Sequence, residues 1–142
     1  MILKHIKLKN WRNFQTVDVA LSDTTYILGA NASGKSNFLD VFRFLRDISK
    51  REGGGLQKAI LDRGGMSKLR CLHARRPQIS LELELVSPTG TRWSYALEFR
   101  SEGKGAQRTL VSREEVYRDS KRLLSRPDKE DERFHSPYPD AS

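Results

Sequence analysis

Apolar and polar residues alternate along most of the first twenty-one positions of the chain. A period of two places successive side chains on opposite faces of a β-strand. The positions that share one side are Ile2, Lys4, Ile6 and Leu8 in the first run and Val17, Val19 and Leu21 in the second. The pattern therefore predicts two neighbouring strands, joined by a short connection around residues 10–14.

A helical pattern begins near Lys35 and continues to about residue 50. Its apolar residues recur three and four positions apart, which places them on one face of an amphipathic helix. These residues are Phe38, Leu39, Val41, Phe42, Leu45 and Ile48. Glycines at 53–55 end the helix, and a further helical turn or two is predicted at residues 56–60. We interpret Gly64 and Gly65, which follow, as turn and cap residues.

After Pro77 the period returns to two, which predicts an antiparallel meander with one dry and one solvated face. The predicted strands span about 79–85, 93–99 and, more weakly, 109–116. Glu82, Glu84 and Glu98 occupy the polar positions, so we interpret them as the solvent side of a sheet rather than as paired catalytic carboxylates. Residues 119–142 contain few apolar side chains and are predicted to form a polar tail that is disordered or depends on a partner.

Residues 29–36 match the phosphate-binding pattern G-x-x-x-x-G-K-[ST] at every fixed position. The predicted cradle consists of Gly29, Ala30, Asn31, Ala32, Ser33, Gly34, Lys35 and Ser36. Its glycines let successive N–H groups point at a polyphosphate, Lys35 adds a positive charge, and the Ser36 hydroxyl is a ligand for Mg²⁺. Residues 24–28 are β-prone and predict a strand leading into this loop, while the following helix adds its N-terminal partial charge.

The net charge of +8 is concentrated in one part of the chain, because residues 42–76 alone carry +7. Such a segment can attract nucleic acid phosphates without sequence preference. The alternative is a solvated helix face and loop. The basic residues are Arg43, Arg46, Lys50, Arg51, Lys58, Arg63, Lys68, Arg70, Arg75 and Arg76.

The remaining composition excludes several classes of protein. No apolar run approaches the roughly 20 residues of a membrane span, and the N-terminus alternates instead of forming a signal-peptide core. One cysteine, Cys71, excludes an internal disulfide and provides no metal-binding set. The sequence therefore predicts a cytoplasmic protein without a membrane partner.

The loop and the strand before it resemble a known group of proteins. The patterns are Gly29-x-Asn31-x-x-Gly34-Lys35-Ser36-Asn37 and, upstream, Ile6-x-Leu8-x-Asn10-Trp11-Arg12-Asn13-Phe14. Together they resemble the ABC-type ATPases of the SMC, RecF and OLD group, and most of all the bacterial AAA-like ATP-binding proteins of defence and repair loci. Those proteins share the Asn-Phe-Leu-Asp start of the helix, an Arg-Gly-Gly and a strand hairpin, found here at 37–40, 63–65 and 79–100.

This resemblance implies an α/β P-loop fold in which residues 1–118 are an N-terminal lobe with an antiparallel β subdomain. Within it, residues 1–52 carry the strands, the loop and its helix, residues 53–76 are a basic connector, and residues 77–118 are the meander. The resemblance also implies ATP and Mg²⁺ as ligands, bound between two heads of a homodimer. It places Asn31 and Asn37 in the phosphate cradle, and Arg12 and Asn13 near the nucleotide.

The sequence departs from that group in the parts that hydrolyse ATP. No apolar strand runs into an Asp-Glu pair, the nearest approach being residues 110–115, and no Leu-Ser-Gly-Gly signature or switch histidine is present. We therefore expect no catalytic residue in this chain, and interpret it as the N-terminal lobe of a larger ATPase that a C-terminal lobe completes. Two other hypotheses stay open at this point, a basic nucleic-acid-binding module and an inactive fragment.

Overall fold

One antiparallel sheet carries most of the part of the chain described in the computed structural model, which comprises residues 1–30, 34–102 and 108–129. Its strands are β1 (Ile2–Trp11), β2 (Phe14–Ala20), β3 (Ile79–Val86), β4 (Arg92–Ser101), β5 (Thr109–Arg118) and β6 (Lys121–Arg126). They lie in the order β2-β1-β3-β4-β5-β6. Between β2 and β3 come the helices α1 (Lys35–Ser49), α2 (Leu56–Leu61) and α3 (Met66–Leu69). The strands predicted in residues 2–21 and 79–116 and the helices predicted from Lys35 and at 56–60 are confirmed, and α3 lies in the stretch predicted as a basic connector.

The apolar face of the sheet packs against the helices. Val41, Phe44 and Ile48 recur three and four residues apart on α1 and are buried. Phe44 stacks on Phe99 of β4 with ring centroids 5.7 Å apart. The other large, fully buried side chains are Trp11, Ile6, Leu8, Leu56, Ile60, Leu69, Ile79, Leu81 and Leu97. These residues come from strands and helices alike, so the fold is α/β with one shared core.

The N-terminal strands and the meander belong to the same sheet. β1 pairs antiparallel with β3, with Ile6 opposite Leu83 and Leu8 opposite Leu81. This register keeps the apolar residues of both strands on the helix side. The antiparallel part is therefore continuous with the lobe that carries the loop.

The opposite face of the sheet is polar. Arg113 of β5 lies 3.4 Å from Glu82 and 3.7 Å from Glu98, measured between guanidinium nitrogen and carboxylate oxygen. These carboxylates belong to a charged ladder across neighbouring strands, which agrees with their interpretation as the solvent side of the sheet.

The run at residues 24–28 differs from its prediction. The structure has no strand there, and the side chains of Tyr26 and Leu28 are 84% and 90% exposed. β-propensity describes how well a residue fits a half-buried pleated surface, so it produces a strand only where a partner strand lies alongside. No described residue provides that partner for this run.

The predicted polar tail is wrong for its first part. Residues 121–126 form β6, which pairs with β5 through Glu115 opposite Ser125 and Val116 opposite Leu124. Backbone hydrogen bonds hold this strand in the sheet although few of its residues are apolar. Its Lys121 and Arg122 suit a sheet edge, where charged side chains discourage further pairing. Residues 130–142 of the tail lie outside the described residues. Among the described residues, no helix has both the length and the apolar character to cross a membrane.

Candidate nucleotide-binding site

Gly34 joins the loop to α1 in a conformation that favours glycine, with φ of +99°. A Cβ at this position would lie 2.6 Å from Asn13 Nδ2 and 2.8 Å from Phe14 Cζ, so the turn between β1 and β2 packs directly on the start of the helix. No side chain of the described residues caps α1, and its first turn contains no acidic residue. The N–H groups at this helix end are therefore suited to an anion.

Lys35 and Ser36 occupy the first turn of α1. The Lys35 ammonium donates a hydrogen bond to the Gly29 carbonyl, so its charge lies between the two ends of the loop. Ser36 is exposed beside it. The predicted cradle residues Asn31, Ala32 and Ser33 lie outside the described residues.

Trp11 and Asn13 connect the end of β1 to the same helix turn. Trp11 Nε1 donates to the Asn37 carbonyl at 2.8 Å, and Asn37 Nδ2 donates to Asn13 Oδ1 at 2.9 Å. Trp11 is fully buried and meets Phe44 edge-on, with centroids 5.2 Å apart. It is therefore a core residue. The structure brings the predicted Asn13 and Asn37 together beside Gly34.

Arg12 lies in the turn between β1 and β2 with φ of +53°. Its Nη2 donates to Asp40 Oδ2 at 2.9 Å, and its backbone N–H donates to the Leu69 carbonyl at 2.6 Å. The guanidinium therefore binds the second turn of α1.

Arg63 is buried, although the sequence places it among the basic residues predicted to lie on a surface segment. Its side chain is only 9% exposed. Its Nε and Nη2 bind Asp40 at 3.0 and 3.1 Å, Nη2 also binds Asp47 at 3.0 Å, and Nη1 donates to the Ala59 carbonyl at 3.0 Å. Its guanidinium carbon lies 5.3 Å from the centre of the Phe44 ring.

A local signal existed for this burial. Arg63 comes three and four residues after Ile60 and Ala59, both buried, so it continues the apolar face of α2. Its acidic partners lie 23 and 16 residues earlier in the chain. These separations are too long for helix or strand periodicity to predict the contacts.

The two carboxylates of this cluster are held in their charged form. Burial acts to raise the pKa of Asp40, but hydrogen bonds from Arg63 and Arg12 outweigh it and leave the pKa below its ordinary value. Burial likewise acts to raise the pKa of Asp47, and hydrogen bonds from Arg46, Arg63 and Lys50 outweigh it and lower the pKa to about 2. The network Arg12–Asp40–Arg63–Asp47 thus ties the β1–β2 turn, α1 and α2 together as paired charges.

Replacing Asp47 with asparagine is expected to destabilise the fold by about 1–2 kcal/mol at pH 7. Because the folded-state pKa of about 2 lies below the ordinary value of 3.8, this stabilisation is present above about pH 4 and is lost as the pH falls towards 2. Urea unfolding of both proteins across that range measures the difference. Asp62→Asn is the control, because its pair with Lys58 is half-exposed and contributes little. A difference that persists unchanged at pH 2 would contradict the assignment.

The basic segment is only partly a surface patch. Arg46 and Lys50 pair with Asp47, Lys58 pairs with Asp62, and Arg63 is internal. Arg75 and Arg76 are exposed and line an open cleft of about 690 Å³. The other residues that line it are Lys9, Asn10, Gln15, Thr16, His73, Ala74, Gln78, Ser80 and Glu98.

The buried side chain of Asn10 fixes this cleft against β1. Its Nδ2 donates to the carbonyls of Arg76 and Gln78 at 2.8 and 3.0 Å, and its Oδ1 accepts from the Cys71 N–H at 2.7 Å. One side chain thus provides the hydrogen-bond partner for three backbone groups that follow α3. The two arginines therefore project from a fixed backbone.

Two family models match the sequence. The model described as "AAA domain, putative AbiEii toxin, Type IV TA system" matches residues 25–140, and the model described as "P-loop containing region of AAA domain" matches residues 3–45. Together they include both the loop and the sheet.

Individual relatives match shorter parts of larger proteins. Endonuclease GajA of Bacillus cereus (strain VD045) is 43% identical over 38% of this chain and 9% of its own length. The DNA replication and repair protein RecF of Trichodesmium erythraeum (strain IMS101) is 33% identical over 73% of this chain and 24% of its own. The chain thus spans about a tenth to a quarter of the length of these relatives. A solved structure from work on the ATP-driven dimerization and DNA-stimulated activation of SMC ATPases superposes with a TM-score of 0.49 and 16% identity, over 86% of this chain and 72% of that one.

Proposed function

The chain belongs to this AAA-domain family, a group of ABC-type ATPases with a P-loop, and we therefore propose that residues 29–36 bind ATP with Mg²⁺. The observation that carries the proposal is the hydrogen bond of the Lys35 ammonium to the Gly29 carbonyl, which holds the positive charge at the loop. The uncapped start of α1 adds N–H donors on the same side.

The residues present fit a magnesium nucleotide. In phosphate-binding loops of this pattern the Ser or Thr hydroxyl is one ligand of Mg²⁺, whose shell is completed largely by phosphate oxygens and water, so Ser36 would provide that ligand here. No group of three or more His, Cys, Asp or Glu among the described residues forms a separate metal site. Bound Mg²⁺ would neutralise phosphate charge. Lys35, Ser36 and the α1 amides would bind and orient the phosphates, with Asn31 and Asn37 as further members of the cradle.

We infer that hydrolysis requires groups from a C-terminal lobe. Glu114 and Glu115 of β5 are the nearest approach to an acidic pair that could hold Mg²⁺ and orient water, and each already binds a neighbouring side chain. Glu114 is buried and accepts from the Tyr95 hydroxyl at 2.9 Å, while Glu115 binds Arg113 at 2.9 Å. The exposed run at 24–28 offers an unpaired segment against which such a lobe could pack.

Calorimetric titration of the 142-residue chain with Mg-ATP tests the binding proposal. We expect saturable, one-to-one and magnesium-dependent binding, together with a melting temperature that rises with nucleotide concentration, because a ligand of the folded state stabilises it. Mg-GTP in a parallel titration measures the preference for the base. Well-folded protein that takes up no nucleoside triphosphate would rule the proposal out.

We further propose that the complete protein acts on DNA, in repair or anti-phage defence, with a second head as its dimer partner. The relatives named for DNA repair and for endonuclease activity support this role. The specific observation in this chain is the cleft that carries Arg75 and Arg76.

Binding of labelled duplex DNA is expected to weaken steeply between low and moderate salt, because each neutralised phosphate releases counterions. In the double variant Arg75→Ala and Arg76→Ala, the slope of log affinity against log salt concentration should become less steep by about one to two. Lys58→Ala, which removes a cation already paired with Asp62, is the matched control. A salt response that is flat in the parent chain would dispose of the DNA role.

A further inference from the structure

The cleft that carries Arg75 and Arg76, called here the arginine cleft, has charges of both signs on its walls. Among the described residues that line it, the lysine and arginine side chains are Lys9, Arg75 and Arg76, and the one carboxylate is that of Glu98. A phosphate group in this cleft is therefore attracted from one side and repelled from another.

The strand register places Glu98 at the border of an acidic area on the polar face of the sheet. Lys9 of β1 lies opposite Ser80 of β3, and Ser80 lies opposite Glu98 of β4, so these residues form one row across the floor of the cleft. The next row on the same face contains Glu82 of β3 and Glu115 of β5. Residues that are paired across strands share a face, so the three carboxylates point to the same side.

Arg113 is the guanidinium that these three carboxylates share. It lies 2.9 Å from Glu115, 3.4 Å from Glu82 and 3.7 Å from Glu98, measured between nitrogen and carboxylate oxygen. Three negative charges and one positive charge leave the group with a net charge of −2. All three glutamates are partly exposed, so a phosphate chain that advanced from the cleft onto this area would be repelled.

This repulsion depends on the distance along the strands. Residues two positions apart on one strand are separated by about 7 Å, so Glu82 lies about 7 Å and Glu84 about 13 Å beyond Ser80. At about 0.1 M salt the Debye length is about 10 Å. A phosphate in the arginine cleft is therefore repelled most by Glu98, less by Glu82 and little by Glu84.

We propose that Glu82, Glu98 and Glu115 form an acidic boundary, which confines a nucleic-acid backbone to the arginine cleft and keeps it off the polar face of the sheet. Lys7 does not offset this boundary, because Asp18 faces it at 3.9 Å. The bound phosphates then cross the ends of β1 and β3 instead of following the strands. The inference rests on the proposed DNA role, since it concerns where that DNA lies.

Glu98→Gln tests the boundary through the sign of its effect. The substitution removes a negative charge from the cleft wall and keeps the size of the side chain. Labelled duplex DNA at about 0.1 M salt is therefore expected to bind about twofold to fivefold more tightly. Glu84→Gln is the matched control, because it makes the same change in net charge on the same face, and it should change the affinity by less than about 1.5-fold.

Arg113 provides the second arm of the test, because loss of Glu98 also removes one of its partners. In an Arg113→Gln background, Glu98→Gln should still tighten binding by a similar factor, since lost repulsion and not a new arginine contact is the cause. Arg113→Gln alone is expected to weaken DNA binding about twofold, because it leaves the carboxylates without their counter-charge.

The salt dependence of the parent chain measures the size of the contact. The three cations of the cleft predict a slope of log affinity against log salt concentration of about two to three in magnitude. A magnitude above about four would require phosphate contacts beyond the cleft and would overturn the boundary.

The other outcomes separate this inference from the function on which it rests. Absence of salt-dependent DNA binding by the parent chain would overturn the DNA role and the boundary together. Binding that depends on Arg75 and Arg76, combined with equal or weaker binding by Glu98→Gln, would overturn only the boundary. An equal gain in Glu84→Gln, or a gain that disappears in the Arg113→Gln background, would do the same.

Discussion

Lys35→Ala is expected to weaken Mg-ATP binding about 100-fold or more, to below detection by calorimetry. The substitution removes the one described cation that the structure holds across the loop, and charge-assisted hydrogen bonds to phosphate contribute about 1.5–3 kcal/mol each. Lys9→Ala is the control, because Lys9 is exposed on β1 away from the helix. The melting temperature of both variants without nucleotide should match the parent within a few degrees.

Turnover provides the complementary measurement. The 142-residue chain is expected to hydrolyse ATP at the background rate. A protein that includes the C-terminal lobe should hydrolyse it in a manner that Lys35→Ala abolishes. Fast, Lys35-dependent hydrolysis by the chain alone would show that a carboxylate within it orients water, against the structural engagement of Glu114 and Glu115.

Trp11→Ala is expected to destabilise the protein by about 3–5 kcal/mol, enough to unfold much of it, since small domains are stable by only about 5–15 kcal/mol. The substitution empties a fully buried position, removes the edge contact with Phe44 and leaves the Asn37 carbonyl without its donor. Urea unfolding followed by circular dichroism measures the loss.

Two controls divide this effect into its parts. Trp11→Phe retains most of the buried ring and removes the Nε1 donor, so it should cost about 1–2 kcal/mol. Trp93→Ala removes a tryptophan that is only partly buried, on β4, and should cost less than Trp11→Ala. Equal losses at the two tryptophans would contradict the central position assigned to Trp11.

The sequence predicted the parts of the fold that depend on local periodicity. Helix α1 and the pairs of alternating strands follow from residues within one element, and the loop follows from its own glycines and lysine. Gly34 illustrates this agreement, because the motif requires glycine and the structure shows both the positive φ and the close contact with Asn13 that disfavour other residues.

Other features depend on partners far away in the chain, and local patterns miss them. Residues 24–28 have the composition of a strand and lack a neighbouring strand in the described structure, whereas residues 121–126 lack that composition and pair with β5. Arginine is a residue type that usually lies at the surface, and Arg63 lies in the core because two aspartates on α1 face it. In each case the presence or absence of a long-range partner outweighed the local preference.

The hydrogen bonds of the Asn10 side chain have a practical consequence for Cys71. This cysteine is the sole one in the chain, its side chain is buried, and its backbone N–H donates to Asn10 Oδ1. A thiol reagent can therefore react only when the segment after α3 opens, and the rate of labelling measures how readily that segment opens. The natural sequence thus already carries a single-site reporter of motion beside the arginine cleft, with no engineered residue required.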